Sequence, residues 1–444
     1  VEKQDRSGYA HFQRDEGIGG YNNDGTVKEN AKILYVSNAT KNTVTMDING
    51  TTYTGLVEIL EAKEHMEEPL IVRVLDKITT NQFKPGVVPP TDYDNLTDEY
   101  FKSLFANNMG ENLAGISVLY QGVALSKEYE YVTTPDGIEF VREIAEKSPY
   151  IDVDIMGTTS IISMFNTKDL TIEGVGSKAE FYQVTFYFGY CDSIEIKNLT
   201  FSKYPANALD FQSGGSTQEE CTSNGWYWIH HNTFNAGKNY WQEDLGKSVC
   251  LRNMRNATIS YNKFFKQPLA VLLGGWEKDY QLNVTLHHNF YLLCGDRTPL
   301  SRESNIHNYN NYIAECGAGV SPRTSTYVFS EANYFEKVDE PYYLFGTETW
   351  GTVKSLGDVY FGCGDAENVT KVATRDETVE NDCSPDGITD YSKFDTDPEL
   401  FYYDAENKRS DVELMYEAKD VPNFVPKYAG AGILERMDFP ASAE

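Results

Sequence analysis

Between Thr285 and Tyr312 the chain gathers several groups able to do chemistry. It reads Thr-Leu-His-His-Asn289, then Cys294-Gly-Asp-Arg297-Thr-Pro299-Leu-Ser-Arg302, then Asn305-Ile-His307-Asn-Tyr-Asn-Asn311-Tyr. On their own, two arginines five apart beside a proline read as surface ion pairing. Five of the seven histidines (His230, His231, His287, His288 and His307) fall in strand-like runs, where alternation sends one of each pair inward as a satisfied core group more often than as a base. Trp226, Trp228, Trp241 and Trp276 lie nearby and divide between core packing and stacking on a ligand. Glu277 and Asp279 follow Gly274-Gly275 at a turn, where they could orient Arg297 or face water. No Gly-rich phosphate loop, Ser-His-Asp order or metal-binding histidine cluster competes with this region.

The elements that must hold these groups repeat. An apolar strand followed by Asn, a variable residue and usually an aromatic recurs six times, around Asn198, Asn232, Asn262, Asn289, Asn311 and Asn333, at intervals of 34, 30, 27, 22 and 22 residues. Such a period matches one coil of a solenoid, with room for three short strands and three turns. Stacked coils would place each Asn above the last, where the amides hydrogen-bond along the stack and the following aromatics stack inside. The expected fold is all-β, a right-handed parallel β-helix over about 150–365.

Flanking segments complete the outline. Ile33–Val36, a helical run Gly55–Lys63 that could cap the open end of the stack, and Pro69–Val74 lead into the solenoid. Residues 84–148 read as a partly helical insertion, with helices at Thr97–Phe105 and Ile138–Lys147. The resulting division is an N-terminal extension (1–32), a β-helix domain (33–388) and a C-terminal wrapping tail (389–444) with a strand at Leu400–Tyr403.

Composition narrows the function. The 444 residues carry 38 Lys+Arg against 67 Asp+Glu, a net charge of −29, so a nucleic-acid partner is excluded in favour of local contact with anions. No apolar run could span a bilayer. Seven cysteines show no metal-ligand spacing, and Cys363 and Cys383 could pair in an oxidising compartment. The first residues show no basic-then-apolar leader, which fits a mature exported chain as well as a cytosolic one.

The Arg297-x-Pro299-x-x-Arg302 segment, set between a strand ending His-His-Asn289 and a His307-x-x-Asn-Asn311 strand, resembles the pectate and pectin lyase family. Trp228-Ile-His-His231, Ala257-Thr-Ile-Ser-Tyr-Asn262 and Leu272-Leu-Gly-Gly275 resemble further blocks in the same order, covering roughly 170–340. The resemblance implies cleavage of galacturonan by β-elimination: the C5 proton is removed and the C4 oxygen leaves, giving an unsaturated product. By the match Arg297 is the base and Arg302 holds the uronate. A guanidinium normally stays protonated, so Arg297 would need surroundings that favour its neutral form, and alkaline pH. Lys247, Trp276, Glu277, Asp279 and His231 are the expected substrate-binding residues.

The family's calcium carboxylates, by an ungapped count, fall on Asn207, Leu245 and Val249, and its usual lysine on Leu269. Those residues do not supply the oxygens a hard cation wants, so no cofactor is expected with confidence and calcium-independent, pectin-lyase-like action is preferred. Lys247 shares a strand face with 245 and 249 and could place its ammonium where the metal would sit. The rival reading is a pectin- or uronan-binding protein on a weakened lyase scaffold; a galacturonan hydrolase ranks lower for want of carboxylates. A monomer meeting a pectic polymer is expected, secreted or at a bacterial cell surface.

Overall fold

The computed structural model describes residues 6–11, 14–79, 129–133, 139–143, 161–182, 184–202, 204, 207–215, 217–236, 246–275, 279–324, 326–343, 351–364 and 416–434. Within them the chain winds as a parallel β-helix with three faces. The first face is a ten-stranded sheet in the order Lys32–Val36, Leu70–Val74, Lys168–Gly174, Asp192–Lys197, Gly225–His230, Met254–Ser260, Gln281–His287, Ser304–Tyr309, Tyr327–Glu331 and Thr352–Leu356. The second runs from Lys77–Ile78 through short strands such as Thr200–Ser202 and Thr233–Asn235 to Val359–Phe361. The third includes Ile161–Phe165, Thr185–Gly189, Leu209–Gln212, Lys247–Arg252, Leu300–Ser301 and Ala318–Pro322. Strand Lys263–Leu273 turns the corner between the second and third faces without a break, pairing with Phe290–Asp296 on one and Leu300–Ser301 on the other.

The corner between the first and second faces is built from asparagine. The Asn232 N–H donates to Asn262 Oδ1 (3.0 Å), Asn262 to Asn289 (3.0 Å), Asn289 to Asn311 (2.9 Å) and Asn311 to Asn333 (2.8 Å). Each amide nitrogen returns a bond to a main-chain oxygen, as Asn262 Nδ2 does to Ile229 O. The residue before each of these asparagines (His231, Tyr261, His288, Asn310, Ala332) is left-handed, which makes the bend tight. The stack runs one coil beyond the repeat, because Asn333 N donates to Asp358 Oδ1 at 2.7 Å. It also starts one coil later than the repeat implies. Leu199, not Asn198, donates to Asn232, while Asn198 is itself left-handed and bonds Gly174 O and Gly176 O. Just inside, Phe201, Phe234, Phe264 and Tyr291 stack with centroids 5.2, 5.1 and 4.6 Å apart.

Leu56, Ile59 and Leu60 of the helix Leu56–Glu61 join the main core. The helix expected at Ile138–Lys147 is instead one arm of an antiparallel hairpin, Tyr129–Thr133 with Glu139–Glu143. Pro135-Asp136-Gly137 between the arms is a hairpin-turn sequence, and Phe-Val-Arg suits a strand. The segments Thr97–Phe105 and Leu400–Tyr403 lie outside the described residues, as does Cys383; Cys363 has no disulfide partner among the described residues.

The histidines do not point into the helix. Tyr227 and Ile229 belong to the core, so Trp228 and His230 lie on the outer side of the first sheet; neighbours Leu286 and Ile306 place His287 and His307 there too. Residues 6–28 cover this side. Tyr9 N and Ala10 N donate to Thr285 and Thr258, Gly20 N to Thr171, and His11 meets Trp228 edge-on at 4.5 Å. Beneath them Glu173 accepts from Arg73 (2.7 Å) and Tyr21, and Lys197 lies 3.4 and 3.3 Å from Glu173 and Glu195. The second histidines occupy the corner instead, in a stack His231–Tyr261–His288 at 4.8 and 4.6 Å. The helix Val421–Tyr428 packs over that corner through Phe424, and Gly432 N donates to Asn198.

Two outcomes follow from these contacts. Asn262→Ala leaves buried donors and acceptors unanswered on both neighbouring coils and should lower stability by about 2–4 kcal/mol, read as a shifted denaturation midpoint with an unchanged m-value. Burial holds His11, His230 and His231 well below the ordinary histidine value. The unfolded chain therefore binds protons that the folded one refuses. Stability should be level above pH ~7 and fall as pH drops through ~6.5, by up to about 1.4 kcal/mol per unit for each histidine, measurable by denaturant titration at pH 7 and 5.

Candidate active site

Strand register on the third face decides which side chains share a surface. Leu209, Phe211, Val249 and Leu251 point into the core, so Asp210, Gln212, Cys250 and Arg252 face outward. Two outward rows result. One contains Asp210, Cys250, Leu272, Leu300 and Ser321. The other carries Gln212 and Arg252 in register. It continues through Gly274, Arg302 and Arg323, whose N–H groups donate to Leu251, Leu273 and Ser301.

The second row is cationic and fixed. Arg252 Nε donates to Asp279 Oδ2 at 2.8 Å and Nη1 to Gln212 Oε1 at 3.4 Å. Asp279 is held in turn by Gly275 N (2.9 Å) and Asn253 Nδ2 (3.2 Å), so the turn after Gly274-Gly275 orients Arg252, not Arg297. Arg302 Nη1 donates to Gly274 O at 2.9 Å. A Cβ at Gly274, whose φ is 82°, would lie 3.2 Å from Arg302 Cβ, so glycine admits the arginine here. In the other row, Asp210 accepts from Asn207 Nδ2 (2.9 Å) and Gln212 Nε2 (3.0 Å).

Arg297 stands at the corner between the second and third faces, in a left-handed conformation (φ 66°), followed by a cis Thr298–Pro299 peptide. Its carbonyl accepts from Val271 N. Its Nε is buried and has no hydrogen-bond partner among the described residues. Burial lowers its pKa from the ordinary arginine value, Arg323 nearby acts the same way, and Asp296 opposes them. A guanidinium that is desolvated, unpaired at Nε and flanked by another cation is pushed toward its neutral form. Burial also pushes the Cys250 thiol far up, against the opposing pull of Lys247, Arg252 and Arg297, so all three cations lie around it.

The expected site is thus brought together in part. Arg297, Arg302 and Asp279 meet on or beside the third face. Trp276, Glu277 and Leu245 lie outside the described residues. His231 belongs to the asparagine corner, buried against Tyr261, and is not in the arginine row. Val249 is a core residue, and Lys247, two residues before it, is half-buried at the start of the strand. The missed residue is Arg252, the outward cation of the same strand. An ungapped count from Ala257 could not find it, but the Val249-x-Leu251 alternation with Arg252 out of phase was there to read.

The described residues of the two rows offer a calcium ion few ligands. Asp210 is the one outward carboxylate in the two rows, its neighbours are Cys250, Leu272 and Leu300, and Arg252 adds a positive charge. Among the described residues no group of three or more His, Cys, Asp or Glu could hold a metal.

Comparison with known proteins places this geometry. A family model described as pectate lyase matches residues 130–382. Pectate trisaccharide-lyase of Bacillus licheniformis is 23% identical over 245 residues, 52% of this chain and 69% of its own. Pectate lyase 1 of Pectobacterium atrosepticum is 30% identical over 187 residues, 39% of this chain and 47% of that one. Among solved structures, a Bacillus sp. N165 pectate lyase in complex with trigalacturonate superposes with a TM-score of 0.55 at 15% identity, covering 96% of this chain and 99% of that one. Pectate lyase C from Erwinia chrysanthemi gives 0.51 at 15%, covering 95% and 98%. At such identities the structures share the fold.

A parallel β-helix with this motif order is a polysaccharide lyase acting on pectic polymer. The chain belongs to the pectate lyase family.

If Asp279 is what fixes Arg252, Asp279→Ala should leave the fold intact and raise KM for a pectic polymer about tenfold, whereas Asp279→Asn, which still accepts a hydrogen bond, should lose less. Steady-state kinetics on the two variants, beside their thermal midpoints, separates the cases.

Proposed function

We propose that this lyase cleaves methyl-esterified pectin by β-elimination without calcium, with Arg297 as base and with Arg302 and Arg252 binding the uronate group. The observation that carries the proposal is Arg252, held by Asp279 and Gln212 in the same outward row as Arg302. In this reading Arg297 takes the C5 proton. The electron pair of that C–H bond forms the C4–C5 double bond, and the C4–O bond breaks with the glycosidic oxygen leaving. Charge builds on the C6 carbonyl oxygen as the proton departs. Arg252 keeps a terminal nitrogen for that oxygen, and a methyl ester removes the full negative charge that would otherwise oppose proton loss. The lowered pKa of Arg297 supports its role, and activity should rise toward alkaline pH as more of it becomes neutral.

A polymer of this size does not cross a membrane, so the enzyme would meet it outside the cell; among the described residues no helix is long and apolar enough to cross a membrane. The rival reading, a binding protein without turnover, has no observation of its own.

The test is ultraviolet absorbance of unsaturated product from methylated pectin and from polygalacturonate, each with chelator and with calcium. Activity on methylated pectin in chelator is expected, with Arg297→Ala and Arg252→Ala each lowering kcat at least about a hundredfold. Activity that requires calcium would overturn the role of Arg252, and silence under every condition would favour the binding protein.

A further inference from the structure

The arginine row continues past Gln212 in the other direction, and there its chemistry changes. Gly189 pairs with Gln212 on one side and with Phe165 on the other. Phe165 is 44% exposed, and Tyr190, just beyond the strand, is 46% exposed. Tyr187 stands in register between Ser163 and Asp210, its ring 5.6 Å from that of Phe165 at 54°. The intervening Phe186 and Phe188 point into the core, so the three outward rings are not needed to build it. A Cβ at Gly189 would lie 2.5 Å from Phe165 Cδ1, so glycine lets the Phe165 ring lie across the neighbouring strand. Single exposed apolar residues are ordinary, but two touching outward rings beside an exposed tyrosine, in line with a cationic row, are not.

Charge and distance narrow the occupant. At this end the outward positions are Ser163, Phe165, Tyr187, Gly189, Asp210 and Gln212, and the one charge among them is negative. An ionised uronate here would face Asp210, and the nearest outward cation, Arg252, lies beyond Gln212 with its Nε on Asp279, whereas an esterified sugar brings no charge and presents a C–H face to the rings. Phe165 lies five strand spacings from Arg302 along the row, about 24 Å. Each 1,4-linked sugar advances by about one such spacing, so a chain held at Arg302 reaches Phe165 after about five sugars.

We propose that Phe165, Tyr187 and Tyr190 form a stacking subsite for a methyl-esterified sugar of the same pectic chain, about five sugars from the one held at Arg302. The cleft then has two unlike ends, one meeting the C6 oxygens of a sugar through arginine and one meeting a sugar's C–H face through aromatic rings. This rests on the pectic-lyase reading of the arginine row.

The double variant Phe165→Ala/Tyr190→Ala tests it in two ways. In kinetics on highly esterified pectin and on an esterified galacturonate trimer too short to span the row, the ratio of the polymer KM to the trimer KM should rise about tenfold. In native gels containing either esterified pectin or polygalacturonate, the variant should lose retardation by esterified pectin selectively. An equal loss on the trimer, an equal loss of retardation by both polymers, or no change in either assay would overturn the subsite. Should the wild type form no unsaturated product while its retardation by esterified pectin still depends on these two residues, the lyase reading fails and the subsite stands.

Discussion

Every row of side chains in this molecule depends on one repeated contact: a corner N–H answered by the asparagine oxygen of the next coil. In a parallel sheet a slip of one residue would turn the interior outward. At Asn232, Asn262, Asn289, Asn311 and Asn333 the side chain both receives the N–H of the coil before and donates back to its main chain, so each coil is pinned to its neighbour at one fixed residue. The inward stack of Phe201, Phe234, Phe264 and Tyr291 begins two residues later and shares that register. Arg252, Gly274, Arg302 and Arg323 fall in line on the far side of the helix for the same reason.

The three faces spend their outer surfaces differently. On the first, charged groups are taken out of water, a costly arrangement unless each ion is paired. Glu173 is served by Arg73, Tyr21 and Lys197, and Glu195 by Lys197, Thr171 and His230. Main-chain N–H groups of residues 9, 10, 19 and 20 seal this layer onto hydroxyls of the sheet. At the asparagine corner Phe424 and Tyr416 cover His288. On the third, arginines and aromatic rings remain within reach of solvent, which marks it as the working surface.

Much of this was legible in sequence, and the failures have physical causes. The asparagine period exposed the solenoid because one hydrogen-bonding role recurs once per coil. Arg297 and Arg302 were singled out by the resemblance of the Arg297-x-Pro299-x-x-Arg302 segment, since their spacing alone reads as surface ion pairing. Arg252 was not, since an ungapped count from Ala257 ignores which side of the strand a residue takes, and the pairing with Gln212 shows it facing outward. His230 and His287 misled because alternation tells which residues share a side, not which side is the interior; the outer side of the first sheet is as buried as the inner one. Ile138–Lys147 misled because apolar spacing in a short run fits helix and strand alike, and the Asp136-Gly137 turn was the better guide.

The coil lengths carry a consequence for how such a protein changes over evolutionary time. Intervals between the stacked asparagines, Asn232 to Asn333, contract from 30 to 22 residues along the chain, yet the corner they define is the same in each. The difference in length therefore falls elsewhere in each coil, on the side of the arginine-bearing face. Insertions there can raise or lower the walls of a cleft, and with them the polymer it admits, while the stack beneath keeps its register. A lineage can then exchange one polysaccharide diet for another by editing turns alone.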